Sequence, residues 1–236
     1  MSAAILETRG LAAGYGKKQI VHDIDLSLGR GEILLVLGHN GAGKTTLMRA
    51  IFGLLKPIAG EVTYDGKPIA GRSPGDNVAE GIAFVPQGHG IFRTLSVRDN
   101  LELGGFIMSD KTRLPDRMQT IFKLFPILNE RQQQIGGTLS GGQQQMLAIG
   151  MALMHEPRVV ILDEPSIGLA PNLVDRVMQS IAEINKSFGT SILMVEQNVR
   201  YSLPIASRVA VLKAGRKIYD GPPARLQDDV ELMKLF

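Results

Sequence analysis

The segment "GHNGAGKT", from Gly38 to Thr45, has residue types and spacing suited to binding phosphate. It fits the pattern of Gly, four residues, Gly-Lys and then Ser or Thr. The glycines let backbone N–H groups curl around phosphates at a helix N-terminus, whose partial positive charge favours anions. Lys44 adds a mobile cation for the outer phosphates, and Thr45 adds a hydroxyl ligand for Mg²⁺. The predicted nucleoside triphosphate site comprises Gly38, His39, Asn40, Gly41, Ala42, Gly43, Lys44, Thr45 and Thr46.

Two adjacent carboxylates follow a second apolar run. Asp163 and Glu164 come directly after "VVIL", which reads as a buried strand. Asp163, at the strand end, is predicted to hold Mg²⁺, usually through water, and Glu164 to orient and polarise a water molecule. An ordinary glutamate is a weak base at pH 7, so we expect Glu164 to position water more than to abstract a proton.

Three near-continuous apolar runs must position these residues, at 31–38, 158–163 and 191–195. Continuous apolar strands are typical of parallel sheets that are covered on both faces. Between the second and third runs lies "NLVDRVMQSIAEINK", whose apolar residues follow helical spacing, with Asn172 as the predicted N-cap. The succession of strand, helix and strand predicts an α/β fold with a parallel sheet.

Two regions depart from this alternation. Residues 1–30 and 61–69 read as shorter alternating strands with turns, which predicts an antiparallel β part. Residues 92–155 contain several helical patterns and no convincing strand, and residues 208–221 predict a hairpin that turns at Ala214-Gly215. We therefore expect one domain over 1–236, with a nucleotide-binding core and antiparallel β part at 1–91 and 156–236 and an inserted α-helical subdomain at 92–155.

Composition narrows the class of protein. Cysteine is absent, which excludes disulfides and thiolate metal sites, and the four histidines lack metal-ligand spacing. The start "MSAAILETRG" lacks the features of a signal peptide, and the longest apolar run, 146–154, is far shorter than the roughly 20 residues that cross a bilayer. We expect a soluble, cytoplasmic protein. The net charge of +3 does not by itself specify nucleic acid.

The phosphate-binding pattern alone leaves several classes open, because kinases, GTPases, RecA-like motors and transport ATPases all use it. A GTPase needs an Asn-Lys-x-Asp stretch for guanine. In "NKSF" Phe188 stands where that aspartate belongs, so guanine specificity is disfavoured.

The pentapeptide "LSGGQ", Leu139 to Gln143, closely resembles the signature of ATP-binding cassette (ABC) ATPases. On its own it is consistent with a loop before a helix, with Ser140 as the N-cap. Between the phosphate loop and the Asp-Glu pair it is highly specific, and the resemblance extends over essentially the whole chain. It implies a P-loop NTPase with a RecA-like core.

In that family two cassettes meet head to tail, and each ATP lies between the phosphate loop of one and the signature of the other. The resemblance implies that Tyr15 stacks on adenine and that Gln87 senses Mg²⁺ and the attacking water. The Mg²⁺ ligands would be Thr45, Gln87 and Asp163. The signature residues at the partner's ATP would be Ser140, Gly141, Gly142 and Gln143.

Further stretches, including "LFPILNERQ", "LDEPSIGLAP" and "VEQN", resemble one ATPase subunit of the branched-chain amino acid importers, with the urea and amide importers closely related. This implies membrane permease subunits, a second and different cassette, and indirectly a solute-binding protein, with no nucleic acid. Homodimers can form in isolation. The cassette would lie on the inner face of the cell membrane, and "IFRTLSVRDNL" resembles the segment that docks on the permease.

Two positions depart from the common family pattern. Ala170 stands where an aspartate spans the dimer, and Gln197 where a histidine holds the γ-phosphate. Successive strand side chains point to opposite faces, so Glu196 and Gln197 should not both face the phosphate. A carboxylate would repel it, which favours Gln197 as a catalytic residue beside Glu164. A soluble non-transport ABC protein and a P-loop kinase remain the alternatives.

Overall fold

The computed structural model describes residues 4–88 and 90–226. These residues form two sheets and a group of helices. Their strands are β1 Ala4–Tyr15, β2 Lys18–Gly29, β3 Ile33–Leu37, β4 Ala59–Tyr64, β5 Lys67–Pro68, β6 Ile82–Val85, β7 Val159–Asp163, β8 Ser191–Val195, β9 Arg208–Lys213 and β10 Arg216–Gly221. Their α-helices are α1 Lys44–Phe52, α2 Pro74–Ala79, α3 Val97–Gly104, α4 Leu114–Leu124, α5 Pro126–Glu130, α6 Gly141–Leu153, α7 Pro171–Phe188 and α8 Val199–Ser202.

The larger sheet has the strand order β10-β9-β3-β8-β7-β6, in which all neighbours except β10 and β9 are parallel. Every residue of β3, β7 and β8 is buried, as expected for strands covered on both faces. The register pairs Val36 with Val195, and Val195 with Asp163. The carboxyl ends of these three strands therefore lie together, which is where ligands bind in open parallel sheets.

The smaller sheet is antiparallel, with the order β2-β1-β4-β5, and confirms the predicted antiparallel part. The expectation of short strands was wrong, because β1 and β2 each have 12 residues. Register shifts interrupt their pairing, one of them between Thr8 and Leu11. Such β-bulges break the alternation of side chains without ending the strand.

Helices α3 to α6 lie in the interval predicted to be helical, and the described residues between 92 and 155 contain no strand beyond one isolated bridge, Ser96 to Ile135. Buried residues of these helices, such as Leu101, Ile121 and Leu147, share one apolar cluster with strands of the larger sheet. The exact limits of this subdomain stay a prediction.

Two local predictions had different outcomes. The hairpin of β9 and β10 turns at Ala214-Gly215, as expected, and both residues have positive φ. Asn172 is not the N-cap of α7. Ala170 takes that position with extended backbone, because Pro171 has no N–H to satisfy and a φ that suits the first helical position.

Within the described ranges we find no helix with the length and apolarity needed to span a bilayer.

Candidate nucleotide site

The phosphate loop joins β3 to α1. Its glycines adopt backbone conformations that other residues rarely take, with φ of 154° at Gly38 and 100° at Gly43. A Cβ atom at Gly38 would lie 2.4 Å from the carbonyl oxygen of Leu212, so the position has no room for a side chain. Gly43 immediately precedes α1, so the loop delivers its N–H groups at the N-terminus of that helix.

Lys44 lies inside this loop with only 4% of its surface exposed. Its ammonium donates to the carbonyl oxygens of Gly38 at 2.7 Å and His39 at 3.1 Å, and Nζ is 3.8 Å from Oε1 of Glu164. Burial lowers the pKa of Lys44, while the charges of Glu164 and Asp163 oppose that shift. The loop and the Asp-Glu pair are therefore electrostatically coupled through one buried cation.

Asp163 ends β7 and faces Thr45. The hydroxyl of Thr45 donates to Oδ1 of Asp163 over 3.1 Å, and Asp163 is 2% exposed. Burial raises the pKa of this carboxyl, whereas the hydrogen bond from Thr45 lowers it. A hydroxyl and a carboxylate oxygen in contact are hard donors of the kind that Mg²⁺ prefers, so this pair fits the ion. No group of three or more His, Cys, Asp or Glu residues suited to a metal occurs in the part of the chain that the structure describes.

Glu164 is the centre of the site. It is 6% exposed and has a φ of 52°, a conformation that costs a non-glycine residue about 1–3 kcal/mol and that concentrates at functional sites. Its Oε1 accepts a hydrogen bond of 2.5 Å from the amide of Gln197, and its Oε2 one of 3.3 Å from the amide of Gln87. Together with Lys44, these amides surround the carboxylate with hydrogen-bond donors and positive charge.

Glu196 and Gln197 point in different directions at the end of β8. The side chain of Gln197 reaches Glu164. The carboxylate of Glu196 is 2% exposed, and it accepts a hydrogen bond from the Ser166 side chain and three from backbone N–H groups. These are Ser166 at 2.8 Å, Gln197 at 3.1 Å and Asn198 at 3.3 Å. Burial raises the pKa of Glu196, and the hydrogen bonds that it accepts, led by the one from Ser166, lower it.

These groups surround a cleft of about 570 Å³, at whose edge the ring of Tyr15 is 47% exposed. Sequence reasoning missed Lys18, Ile20 and Ile167 as lining residues. The strand periodicity of 2 places Lys18 and Ile20 on the same face of β2, and that signal could have found them. The lining residues are Tyr15, Lys18, Ile20, Asn40, Gly41, Gly43, Lys44, Thr45, Thr46, Gln87, Glu164, Ile167 and Gln197.

The signature residues do not line this cleft. Ser140 is the N-cap of α6, as expected, and forms a reciprocal capping box with Gln143. Ser140 and Gly141 are exposed, whereas Gly142 is buried against Leu173 of α7, where a Cβ atom would lie 3.1 Å from that side chain. Gly38, His39, Ala42 and Asp163 also lie outside the lining of the cleft, although Gly38, His39 and Asp163 contact Lys44 or Thr45, which belong to it.

Comparison with known proteins gives a consistent result. The family model described as ABC transporter matches residues 21–167. The chain is 40% identical over 212 residues to BraG, a high-affinity branched-chain amino acid transport ATP-binding protein of Pseudomonas aeruginosa, with 90% of each chain covered. It is 35% identical over 231 residues to LivF of Archaeoglobus fulgidus, which is described as a probable branched-chain amino acid transport ATP-binding protein, with 98% of each chain covered. The structure of cbiO1 from Clostridium perfringens, part of the ABC transporter complex cbiONQ, is similar with a TM-score of 0.85 and 29% identity, covering 98% of this chain and 93% of that one.

Proposed function

Because the chain belongs to the ABC transporter family, we propose that it is the ATP-hydrolysing subunit of an importer of branched-chain amino acids. ATP hydrolysis follows from membership of the family. The solute is inferred from the descriptions of the relatives from P. aeruginosa and A. fulgidus, with which the chain shares nearly its whole length.

The observation that carries the chemistry is the setting of Glu164. Its carboxylate is buried beside Lys44, the cation of the phosphate loop, and two amides hold its oxygens. In that position Glu164 can accept a hydrogen bond from a water molecule and aim it at a γ-phosphate held by the loop. Positioning of this kind, with charge stabilisation from Lys44 and the loop N–H groups, supplies most of the catalysis in phosphoryl transfer.

Magnesium would be held by Thr45 and Asp163, whose oxygen atoms are already in contact. When bound, the ion neutralises charge that develops on the phosphate oxygens. Gln87 is the third residue predicted at the metal, and its amide bonds Glu164 in this structure. This contact supports a role for Gln87 between the ion and the attacking water.

A second cassette would complete the site. Ser140 and Gly141 are exposed and lie outside the chain's own cleft, which supports their contact with a nucleotide bound by another subunit. N-cap and backbone N–H groups at the start of α6 are suited to that phosphate. We expect a different cassette as the partner in the cell, because Ala170 and Gln197 depart from the common pattern.

The permease would be engaged by the segment 91–101, in which Phe92 is 51% exposed. A cassette bound there would sit on the cytoplasmic face of the membrane, and a solute-binding protein would act from the other side. These assignments follow from the proposed role as a transporter subunit.

The test is reconstitution of the chain with the permease subunits and the second cassette of a branched-chain amino acid importer, in liposomes that contain ATP. We expect ATP-dependent uptake of leucine, isoleucine or valine in the presence of the binding protein. Glu164→Gln should abolish uptake, whereas Glu130→Gln, an exposed carboxylate of α5, should not. Uptake of urea or an amide in place of these amino acids would refute the solute, and ATPase activity stimulated by RNA or DNA without any permease would refute the transporter role.

A further inference from the structure

Glu196 is a buried carboxylate that the proposed mechanism does not use. It is 2% exposed, and no cation is paired with it among the described residues. We propose that Glu196 is a positioning residue, which joins the segment after Glu164 to the loop that carries Gln197. Through this contact Glu196 links the ATP site of its own cassette to the signature residues that contact the ATP of the partner cassette. The inference rests on the proposed function.

The first step is the division of the carboxylate between two loops. Oε1 accepts the N–H of Ser166 over 2.8 Å, in the turn that follows Glu164. Oε2 accepts the N–H groups of Gln197 and Asn198, over 3.1 and 3.3 Å. One rigid side chain therefore sets the distance between the turn at Ser166 and the backbone of Gln197, the residue whose amide bonds Glu164.

The second step leads from Ser166 to the signature. The N–H of Leu169 donates to the carbonyl of Ser166 at 3.2 Å, which folds residues 166–169 into a turn. A Cβ atom at Gly141 would lie 3.3 Å from the side chain of Leu169, so this turn packs against the exposed N-terminus of α6. A shift of the turn would move the signature that faces the other cassette.

The third step concerns the choice of side chain. Three N–H groups converge on Glu196, and an ionised carboxylate is the side chain that can accept from all of them. Glutamine has almost the same shape but presents an NH₂ group to one of the two loops. This NH₂ group would face the backbone N–H groups of that loop, so that buried donors would lose their acceptor. The described hydrogen bonds and ion pairs of Glu196 include none to Lys44, Tyr15 or the phosphate loop. The charge of Glu196 does raise the pKa of Lys44, but less than the charges of Glu164 and Asp163 do, so ATP binding by the cassette should survive the substitution.

The test is Glu196→Gln in the assembled transporter, with Glu130→Gln as the matched control. We expect kcat for ATP hydrolysis to fall about tenfold while KM for ATP stays within about twofold. A merely structural role predicts a lower melting temperature and a higher KM in the folded variant, and that result would overturn the proposal. Unchanged kcat would also overturn it. If the amide variant does not fold, Glu196→Asp, which is too short to reach both loops, should show the same kcat loss.

A second measurement does not depend on turnover. In the Glu164→Gln background, ATP should trap a dimer of cassettes, and adding Glu196→Gln should weaken that dimer at least fivefold in sedimentation at saturating ATP. Equal dimer affinity with and without Glu196→Gln would refute the link to the signature. Absence of hydrolysis by the unmodified transporter would instead refute the proposed function, and the dimer measurement would still decide the role of Glu196.

Discussion

Replacement of Gln197 by alanine should slow ATP hydrolysis by about tenfold. The amide of Gln197 donates to Oε1 of Glu164 at 2.5 Å, and a hydrogen bond to a charged group is worth roughly 1.5–3 kcal/mol. Gln197 is exposed, so water can take over part of the lost contact, and the lower end of that range applies. A barrier higher by about 1.4 kcal/mol corresponds to a tenfold loss of rate.

The assay is steady-state phosphate release by the assembled transporter at saturating MgATP. Glu164→Gln should lose on the order of 10²–10⁴ in kcat, because it removes the group that orients the water, whereas Gln197→Ala removes only one of its supports. KM for ATP should change little in Gln197→Ala, because the contacts of Lys44 with the loop remain.

The matched control is Asn198→Ala. Asn198 is the next polar residue of the same turn, does not line the cleft, and is held by its backbone N–H, which alanine retains. Its kcat should stay within about twofold of the unmodified chain. Equal losses from Gln197→Ala and Glu164→Gln would refute the reasoning, and so would a loss in Asn198→Ala as large as that in Gln197→Ala.

Three further substitutions test other parts of the molecule. Lys44→Met should raise the Kd for ATP at least about 100-fold in equilibrium binding, because it removes the buried cation of the phosphate loop; retained affinity would contradict that role. Burial lowers the pKa of His155 to about 4 from 6.5, so below pH 6.5 the unfolded chain binds a proton that the folded chain does not. Relative to His155→Phe, the unmodified chain should therefore lose about 3 kcal/mol of stability between pH 6.5 and 4 in urea titrations. Gly104→Ala should lower stability by more than 1 kcal/mol in urea titrations, because its Cβ would lie 2.5 Å from the backbone oxygen of Met151. Gly75→Ala in α2 should be neutral or stabilising, because its Cβ would meet only the hydroxyl of Ser73, at an ordinary contact distance of 3.8 Å.

The features that the sequence predicted well are local. The phosphate loop is recognisable because its glycines and its lysine lie within one short segment, and the positive φ of Gly38, Gly41 and Gly43 favours glycine at those positions. The strands β3, β7 and β8 are continuous apolar runs because both of their faces are buried. Burial on both faces leaves few other interpretations for such a run.

The contacts of Glu164 could not be predicted in the same way. Residues 164 and 197 are 33 positions apart, and their meeting depends on the register that pairs Asp163 with Val195. Neither segment by itself specifies that register, because the register follows from the packing of the whole sheet. The error at Asn172 has a different and local cause, since proline at the first helical position outweighs a good capping side chain one residue later.

Strand alternation also left open what Glu196, the residue directly after β8, does, and a double variant with Gln197 separates the effects of its two contacts. If Glu196 acts only by holding the backbone of Gln197, the variant with both Glu196→Gln and Gln197→Ala should be no slower than Gln197→Ala, about tenfold below the unmodified transporter. Because Glu196 also binds Ser166, which leads to the signature, we expect the double variant to approach the product of the single losses, about 100-fold. A double variant with the same kcat as Gln197→Ala would show that the contact with Ser166 does not contribute to turnover.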